Sequence, residues 1–467
     1  MTRRRAEAFA LVLPLVIGLA ACGGGNGDDG GDGGAEDDGG PLLVWTTEDL
    51  ADRVTTQKAV LDAWAESAGT TVELTPIAED QLSSVLAAAI AGNEQPDVIA
   101  ALSLGGVQRL QTEGLLDTEA AADVVSELGE DTFSESALEL TRDEDTQLAV
   151  PSDAWPQMLF YRKDLFDAAG LEEPTSYEAI TTSARQLNAG GIAGIVAATA
   201  PADSFTHQTF EHIALANNCE LADDDGEIAL ASDECREAFE FYTSLIRDAS
   251  VQGNQDADTT RAAYFSGTAA MVIWSSFLLD ELAGLRNDAL PTCPECQADP
   301  TFLVQNTGVV TALEGPSGDE PAAYGEIVSW ALLTDADANA RDLVQYVMSE
   351  GYTDWLAVAP EGKVPVRSGT EDDPEEYLTA WRELEAGVDT KAPLSQFYDQ
   401  ETLDAVATSP DTISRWGFPQ GQGAVAGAVA GQFVLPKALA EAIGGTSVDD
   451  ALQQAADEAA TIKDEVG

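Results

Sequence analysis

Residues 149–170 have the sequence AVPSDAWPQMLFYRKDLFDAAG, from which the organisation of the whole chain can be inferred. Pro151 favours extended backbone in the residue before it, so the Pro-Ser-Asp sequence predicts a turn. The apolar run Met158–Tyr161 then predicts a strand. A short amphipathic helix follows and ends at Gly170, because glycine adopts the left-handed conformation of a helix C-terminus at little cost. We place the centre of the molecule, where two lobes meet, at this stretch.

Strand and helix patterns alternate in the first part of the folded chain. A strand is predicted at Leu42–Trp45, apolar residues recur at helical spacing from Leu50 to Ala68, and a further strand is predicted at Val98–Leu102. This alternation predicts a parallel sheet covered by helices on both faces. Ligands of such sheets lie outside the carboxyl ends of the strands, which points to the loops at Thr46–Glu48, Asp80 and Ser103.

The first 40 residues predict export and a tether. Three arginines precede the apolar run Phe9–Leu19, which is too short to span a bilayer, so residues 1–21 are interpreted as a signal peptide. The sequence Leu-Ala-Ala-Cys ending at Cys22 is similar to the bacterial lipobox, in which the cysteine becomes the lipidated N-terminus. Residues 22–40 are then a lipid-anchored flexible linker, since glycine and acidic residues cannot bury a core. An ordinary signal peptide with an incidental cysteine is the alternative.

The chain is strongly acidic. It has 83 acidic and 22 basic residues, a net charge of -61, and removal of residues 1–21 takes away three Arg and one Glu, which leaves 82 against 19, or -63. Nucleic acid and anionic lipid surfaces are excluded as partners, because both require a basic surface. We interpret the charge as a halophilic adaptation, since concentrated salt screens the repulsion. An acidic protein without halophily remains open.

Several motifs resemble those of the family 1 extracellular solute-binding proteins of ABC importers, the maltose-binding-protein-like group. Tyr161-Arg-Lys-Asp164 is similar to the family's Tyr-Asn-Lys-Asp, and Tyr264–Met271 is similar to its segment of phenylalanine, glycine and Ala-Ala-Met. Glu314–Gly318 resembles the loop before the chain crosses back. The resemblance covers residues 42–467. It implies an α/β, two-lobed periplasmic-binding-protein-like fold of type II, with discontinuous lobes, a hinge and an interlobe ligand cleft.

The resemblance also implies the domain organisation and the function. Lobe 1 would comprise residues 41–149 and 321–362, and lobe 2 residues 150–320 and 363–467. The chain would be a monomeric, lipid-anchored receptor on the outer face of the cytoplasmic membrane. It would capture a small-molecule solute, a carbohydrate, and deliver it to ABC permease subunits. A secreted hydrolase and a binding protein that serves a signalling receptor are the alternatives.

A sugar presents apolar C–H faces and hydroxyl edges, so its site needs flat aromatic surface with carboxylates and amides. An anionic solute would instead favour arginines or helix N-termini. The candidate ligand-binding residues at loop positions are Trp45, Glu48, Asp153, Trp155, Gln157, Trp274, Ser276, Phe277 and Glu326. For each tryptophan, packing in a lobe core is the alternative. The family's first lobe commonly offers an aromatic and an acid where this chain has Ala100–Ser103, which argues against a maltodextrin-like ligand.

The four cysteines after Cys22 favour structural disulfides over a redox or metal site. Their even number in an exported chain indicates bridges. We favour the pairs Cys219–Cys235 and Cys293–Cys296; a redox Cys-x-x-Cys and a four-cysteine zinc site stay open.

The sequence has no His-Glu-x-x-His, Gly-x-Ser-x-Gly or Walker motif. We therefore expect no catalytic residues, no metal and no cofactor.

The charge balance generates a prediction about salt. Because the carboxylates repel one another and dissolved ions screen that repulsion, the melting temperature should fall as salt is removed. Thermal denaturation followed by circular dichroism, in dilute buffer and in molar salt, checks this. Equal melting temperatures under both conditions would contradict salt adaptation.

Overall fold

Strands and amphipathic helices alternate along the part of the chain that the structure, a computed structural model, describes, which is residues 40–92 and 94–466. The predicted signal peptide, Cys22 and the linker up to residue 39 lie outside the described residues. The strands are β1 (Leu42–Thr46), β2 (Val72–Pro76), β3 (Val98–Leu102), β4 (Arg142–Asp143), β5 (Thr146–Gln147), β6 (Val150–Arg162), β7 (Met271–Ser275), β8 (Thr307–Val310), β9 (Ala323–Leu332), β10 (Val364–Pro365), β11 (Glu385–Ala386), β12 (Ala392–Pro393) and β13 (Ile413–Ser414).

The helices are α1 (Ala51–Ala68), α2 (Glu79–Gly92), α3 (Leu104–Thr112), α4 (Thr118–Leu128), α5 (Glu135–Leu140), α6 (Lys163–Ala169), α7 (Tyr177–Leu187), α8 (Ser204–Leu215), α9 (Asp233–Ala249), α10 (Ala257–Phe265), α11 (Leu278–Leu282), α12 (Phe302–Gln305), α13 (Asn339–Val347), α14 (Tyr352–Leu356), α15 (Glu376–Trp381), α16 (Gln400–Ala407), α17 (Gly423–Gly431), α18 (Val434–Gly444) and α19 (Val448–Val466). No single helix in this described part is long and apolar enough to cross a membrane, although the bent pair α17 and α18 passes that test together.

The predicted parallel arrangement is present at the start of the chain. Strand β1 pairs in parallel with β2 on one side and with β3 on the other. Successive side chains of a strand point to opposite faces, and Val44 and Trp45 accordingly belong to different apolar clusters. Both faces of this sheet are therefore buried, as a parallel sheet covered by helices requires.

Strand β6 connects the two parts of the large sheet. Its first half, Val150–Pro156, pairs with β9, and its second half pairs with β7 and β8. The predicted turn at Pro-Ser-Asp is wrong, because these residues are inside the strand. The register of β6 against β9 shifts between Pro151 and Asp153, and such a bulge accommodates a proline that cannot donate a ladder hydrogen bond. Helix α6 follows directly and ends at Gly170, whose φ of 67° is left-handed as predicted.

Both pairs of cysteines that the sequence favours form disulfides. The sulfur atoms of Cys219 and Cys235 are 2.08 Å apart, and those of Cys293 and Cys296 are 2.01 Å apart. The first bridge joins the segment after α8 to the first turn of α9. All four thiols are thereby consumed, so these residues form neither a zinc site nor a free dithiol in this structure.

A buried ion pair holds β10 against the crossing strand. Asp153 of β6 accepts hydrogen bonds from Lys363 Nζ at 3.2 and 3.3 Å and from Trp355 Nε1 at 2.7 Å. Asp153 and Lys363 are 0% and 3% exposed, so water does not compensate either charge. Lys363 also lies 4.4 Å from the centroid of the Trp355 ring. The pair fixes the position at which β10, the segment after Lys363, joins β6.

We predict that Lys363→Met lowers the free energy of unfolding by about 3–5 kcal/mol, because it leaves the Asp153 carboxylate buried without a counter-charge. The matched control is Lys58→Met. Lys58 forms an exposed pair with Asp62, and its loss should cost at most about 0.5 kcal/mol. Urea denaturation in molar salt measures both variants, and similar small losses would contradict the structural role of the buried pair.

Candidate functional site

A cleft of about 340 Å³ opens at the carboxyl ends of β1 and β3, where parallel α/β sheets place their ligands. The other walls come from β6 and β9, the helices α2, α3 and α8, the turn after β7, and the segments before β10 and after β13. The cleft is lined by residues from both of the lobes that the sequence analysis predicts. The lining residues are Thr47, Glu48, Glu79, Ala101, Ser103, Gly105, Asp153, Trp155, Gln208, Phe277, Glu326, Val328, Gly362, Lys363 and Arg415.

Five of the nine ligand-binding residues proposed from sequence line this cleft. They come from four separate segments of the chain, which the sheet topology brings together. Trp155 and Glu326 are directly opposite each other on the antiparallel strands β6 and β9. The five residues are Glu48, Asp153, Trp155, Phe277 and Glu326.

The two other proposed aromatic residues do not line the cleft. Trp45 is on the opposite face of β1 from Val44, inside an apolar cluster that includes Leu82 and Leu86. The Trp274 indole N–H donates to the carbonyl oxygen of Ala257 at 3.0 Å, and its ring packs against core residues. For these two tryptophans the structure shows the alternative of core packing.

The proposed polar residues Gln157 and Ser276 lie behind the cleft wall. Both are fully buried, and the main-chain N–H of Ser276 donates to the carbonyl oxygen of Pro156 at 3.0 Å. The amide atoms of Gln157 and the hydroxyl of Ser276 have no hydrogen-bond partner among the described residues. They do not reach the cleft in this structure.

An aromatic corner formed by Trp155 and Phe277 gives the cleft its flat surface. The ring centroids are 6.3 Å apart and the planes are tilted by 53°. Trp155 is also supported from behind by buried Tyr324, at 6.0 Å. Phe277 packs against Gly362, where an added Cβ atom would lie 2.0 Å from the phenyl ring. Glycine at position 362 is therefore required by the close approach of the ring.

Arg415 is a cleft residue that the sequence did not single out. Its Nη1 donates to Glu326 Oε2 at 2.6 Å, and its Nε donates to Glu211 Oε1 at 3.3 Å. Glu326 Oε1 accepts from the main-chain N–H of Leu104 at 2.7 Å. The guanidinium group lies 4.5 Å from the centroid of the Tyr324 ring. Its Nη2 has no hydrogen-bond partner among the described residues.

The charges around Arg415 support its ionised state. Burial would lower the pKa of Arg415, yet the facing Tyr324, Glu326 and Glu211 raise it above its usual value. Burial would raise the pKa of Glu211, but Arg415 and His207 outweigh it and the pKa is lowered. For Glu326 burial dominates and the pKa is raised, although Arg415 opposes this. The positive charge of the Arg415 guanidinium is thus compensated by carboxylates of the protein before any solute binds.

Arg53 supports the opposite side of the cleft. Its Nη1 donates to both carboxylate oxygens of Glu48 at 3.1 Å, and its Nη2 lies 3.6 Å from Glu361 Oε1. The guanidinium carbon is 5.5 Å from the centroid of the Phe277 ring. Glu48 is therefore held in place by α1, and Arg53 connects that helix to the aromatic corner.

A buried acidic pair lies next to the aromatic corner. Asp280 of α11 follows Phe277 by three residues, and Glu361 precedes Gly362; both are almost completely buried. Neither oxygen of Asp280 has a partner among the described residues. Burial, with repulsion from Glu361 and Glu281 and partial relief from Arg286, raises the pKa of Asp280 to about 8. Burial also raises the pKa of Glu361.

No group of three or more His, Cys, Asp or Glu side chains suited to a metal ion exists within the described residues.

The site carries more negative than positive charge. Its lining has the four carboxylates Glu48, Glu79, Asp153 and Glu326, and the two cations Lys363 and Arg415. Both cations are paired with carboxylates, so an anionic solute would meet a net repulsion. Flat aromatic surface, one vacant guanidinium donor and carboxylate acceptors are groups that can hold a neutral, hydroxylated solute.

The pKa of Asp280 generates a prediction about pH. A carboxyl whose pKa is higher in the folded than in the unfolded protein destabilises the fold as pH rises from its ordinary value near 3.8 towards 8. Asp280→Asn removes this penalty. The free energy of unfolding of the variant, relative to the natural protein, should increase from pH 5 to pH 8 by at least about 1.4 kcal/mol, one pKa unit.

The control for this series is Asp288→Asn. Hydrogen bonding to Arg286 lowers the pKa of Asp288, so its effect on unfolding should be constant between pH 5 and pH 8. Denaturant titrations at fixed molar salt measure both variants. A difference that is equally constant for Asp280→Asn would contradict the raised pKa.

Comparisons with known proteins agree with this architecture. Residues 47–354 match the model of a family described as bacterial extracellular solute-binding protein. Over 310 residues the chain is 28% identical to YcjN of Escherichia coli K12, described as an ABC transporter periplasmic-binding protein, and the alignment covers 64% of this chain and 67% of that protein.

Solved structures show the same fold. The crystal structure of a cyclic α-maltosyl-1,6-maltose-binding protein from Arthrobacter globiformis matches 91% of this chain and 99% of its own length, with a TM-score of 0.68 and 19% identity. A solute-binding protein from Agrobacterium radiobacter K84 in complex with ribitol matches 91% of this chain and all of its own, with a TM-score of 0.60 and 19% identity. The predicted α/β, two-lobed periplasmic-binding-protein-like fold is confirmed, whereas the lobe boundaries stay a prediction.

Proposed function

The chain belongs to the bacterial extracellular solute-binding proteins, and from this premise we propose that it captures a neutral carbohydrate in the cleft and delivers it to an ABC permease. Members of this family are substrate-binding proteins and not enzymes. The observation that carries the carbohydrate proposal is the corner formed by Trp155 and Phe277, beside the hydrogen-bonding groups of Glu326 and Arg415. An aromatic face packs against the C–H side of a sugar ring while polar groups bind its hydroxyls.

The charge of the cleft supports a solute without an anionic group. Arginine commonly recognises carboxylates and phosphates, but Arg415 already faces Glu211 and Glu326. Its vacant Nη2 can donate to a hydroxyl at no cost in charge balance. The volume of about 340 Å³ is near the lower end for ligand pockets, which supports a small sugar or short oligosaccharide.

Export and anchoring are the second part of the proposal. Residues 1–21 would be removed as a signal peptide, and Cys22 would be acylated and would hold the protein, as a monomer, at the outer face of the cytoplasmic membrane. The sequence Leu-Ala-Ala-Cys after an apolar run supports this. A tether of about twenty residues between anchor and fold lets the receptor search for both solute and permease.

A screen of sugars and polyols by thermal shift in molar salt tests the proposed function. A solute that binds only the folded state raises the melting temperature by mass action. At least one neutral sugar should do so, whereas sugar phosphates and uronic acids should not. A screen in which only anionic solutes raise the melting temperature would contradict the proposal.

We predict that Trp155→Ala weakens binding of the identified sugar at least about tenfold, a loss of roughly 1.4 kcal/mol, because it removes the stacking surface. Trp155 is only half-buried, so the variant should remain folded. Trp45→Phe, a change inside the core, is the control and should leave the affinity unchanged. Isothermal titration calorimetry measures both, and normal binding by Trp155→Ala would remove Trp155 from the site.

A further inference from the structure

A second, apolar pocket adjoins the cleft between α2 and α3. It has a volume of about 250 Å³ and shares Glu79, Ser103 and Gly105 with the cleft. Its walls are aliphatic and come from two helices and the end of β3. The leucines that form them are Leu82, Leu86, Leu102 and Leu110. We call this space the leucine pocket.

The cleft and the leucine pocket adjoin at Gly105, and we call this junction the passage. Gly105 lines both spaces, and an added Cβ atom at this position would meet no atom within 4 Å. On the other side, Gly106 packs so closely against Leu102 that a Cβ atom would lie 2.4 Å from its Cδ1. The two glycines therefore bring the first turn of α3 onto the leucine wall and place no side chain at the passage.

The chemistry of the leucine pocket does not suit a sugar ring. Among the described residues, its walls contain no aromatic side chain, and polar side chains occur only at Glu79, Ser83, Ser103 and Arg109. Arg109 is already paired with Glu113 at 2.9 Å. Sugar hydroxyls placed against the leucines would lose their hydrogen bonds to water without replacement, which is unfavourable. An alkyl or aryl group would lose nothing there and would be removed from water.

We propose that the solute is a glycoside whose sugar occupies the cleft and whose apolar aglycone occupies the leucine pocket. This inference rests on the proposed carbohydrate function and narrows its substrate class. The size is sufficient, because an aliphatic cavity of ~150 Å³ accommodates benzene and the leucine pocket has about 250 Å³. The aglycone leaves the sugar at the passage beside Gly105.

The test compares matched pairs of glycosides by isothermal titration calorimetry in molar salt. The probes are the methyl and hexyl glycosides of glucose, galactose, mannose and xylose. For each sugar that binds, the hexyl glycoside should bind at least about tenfold more tightly than the methyl glycoside, because its additional methylenes are buried. Equal affinities of the methyl and hexyl forms would overturn this inference and leave the carbohydrate function intact.

Substitutions of two neighbouring serines of α2 test whether the tighter binding of hexyl glycosides arises in the leucine pocket. Ser83 lines the leucine pocket, so Ser83→Phe should fill it and reduce the ratio of hexyl to methyl affinity to near one. Ser84 is exposed on the same helix and does not line the pocket, so Ser84→Phe should keep the ratio. An unchanged ratio in Ser83→Phe would overturn the assignment of the pocket. Absence of binding by every glycoside would overturn this inference, whereas the proposed function is decided separately by the thermal-shift screen of sugars and polyols.

Discussion

The hydrogen bonds of strand β6 are the constraint on which the cleft depends. One continuous strand pairs with β9 through its first half and with β7 and β8 through its second half. Because side chains alternate along a strand, a shift of one residue in either register would turn its side chains to the other face. The position of Trp155 opposite Glu326 and beside Phe277 is therefore fixed by both sets of partners, and the buried pair of Asp153 and Lys363 secures the same strand from β10.

Patterns among neighbouring residues predicted individual strands and helices. They did not predict the pairing of strands that are distant in sequence. The alternation that starts with β1, α1 and β3 and the helix stop at Gly170 depend on neighbouring residues, and both are present. The Pro-Ser-Asp sequence predicted a turn, yet a bulge opposite β9 accommodates Pro151 inside the strand. The two-residue strands β10 and β13 have no periodicity to read, and they form only because the chain returns to β6 and β9.

The same distinction explains the site. Phe277 lies in the turn after β7, as its predicted loop position requires, whereas Trp155 was also predicted at a loop position and lies inside β6. Trp45 could not be told from a cleft residue, since one strand position decides which face it joins. Arg415 was missed because its partners Glu211 and Glu326 are 204 and 89 positions away in sequence. The buried ion pair of Lys363 could have been predicted from the sequence. Lysines are scarce in this acidic chain, and a lysine between apolar segments is a candidate for a buried ion pair.

A solute bound in the cleft would contact both of its sides at once, and hydrogen exchange followed by mass spectrometry measures this contact. The protein would be compared with and without a saturating sugar in molar salt. We expect slower exchange, at the same solute concentration, in five segments from separate parts of the sequence: 46–48, 101–106, 153–157, 275–278 and 413–416. Slower exchange confined to one of these segments, or to a surface remote from the cleft, would contradict it.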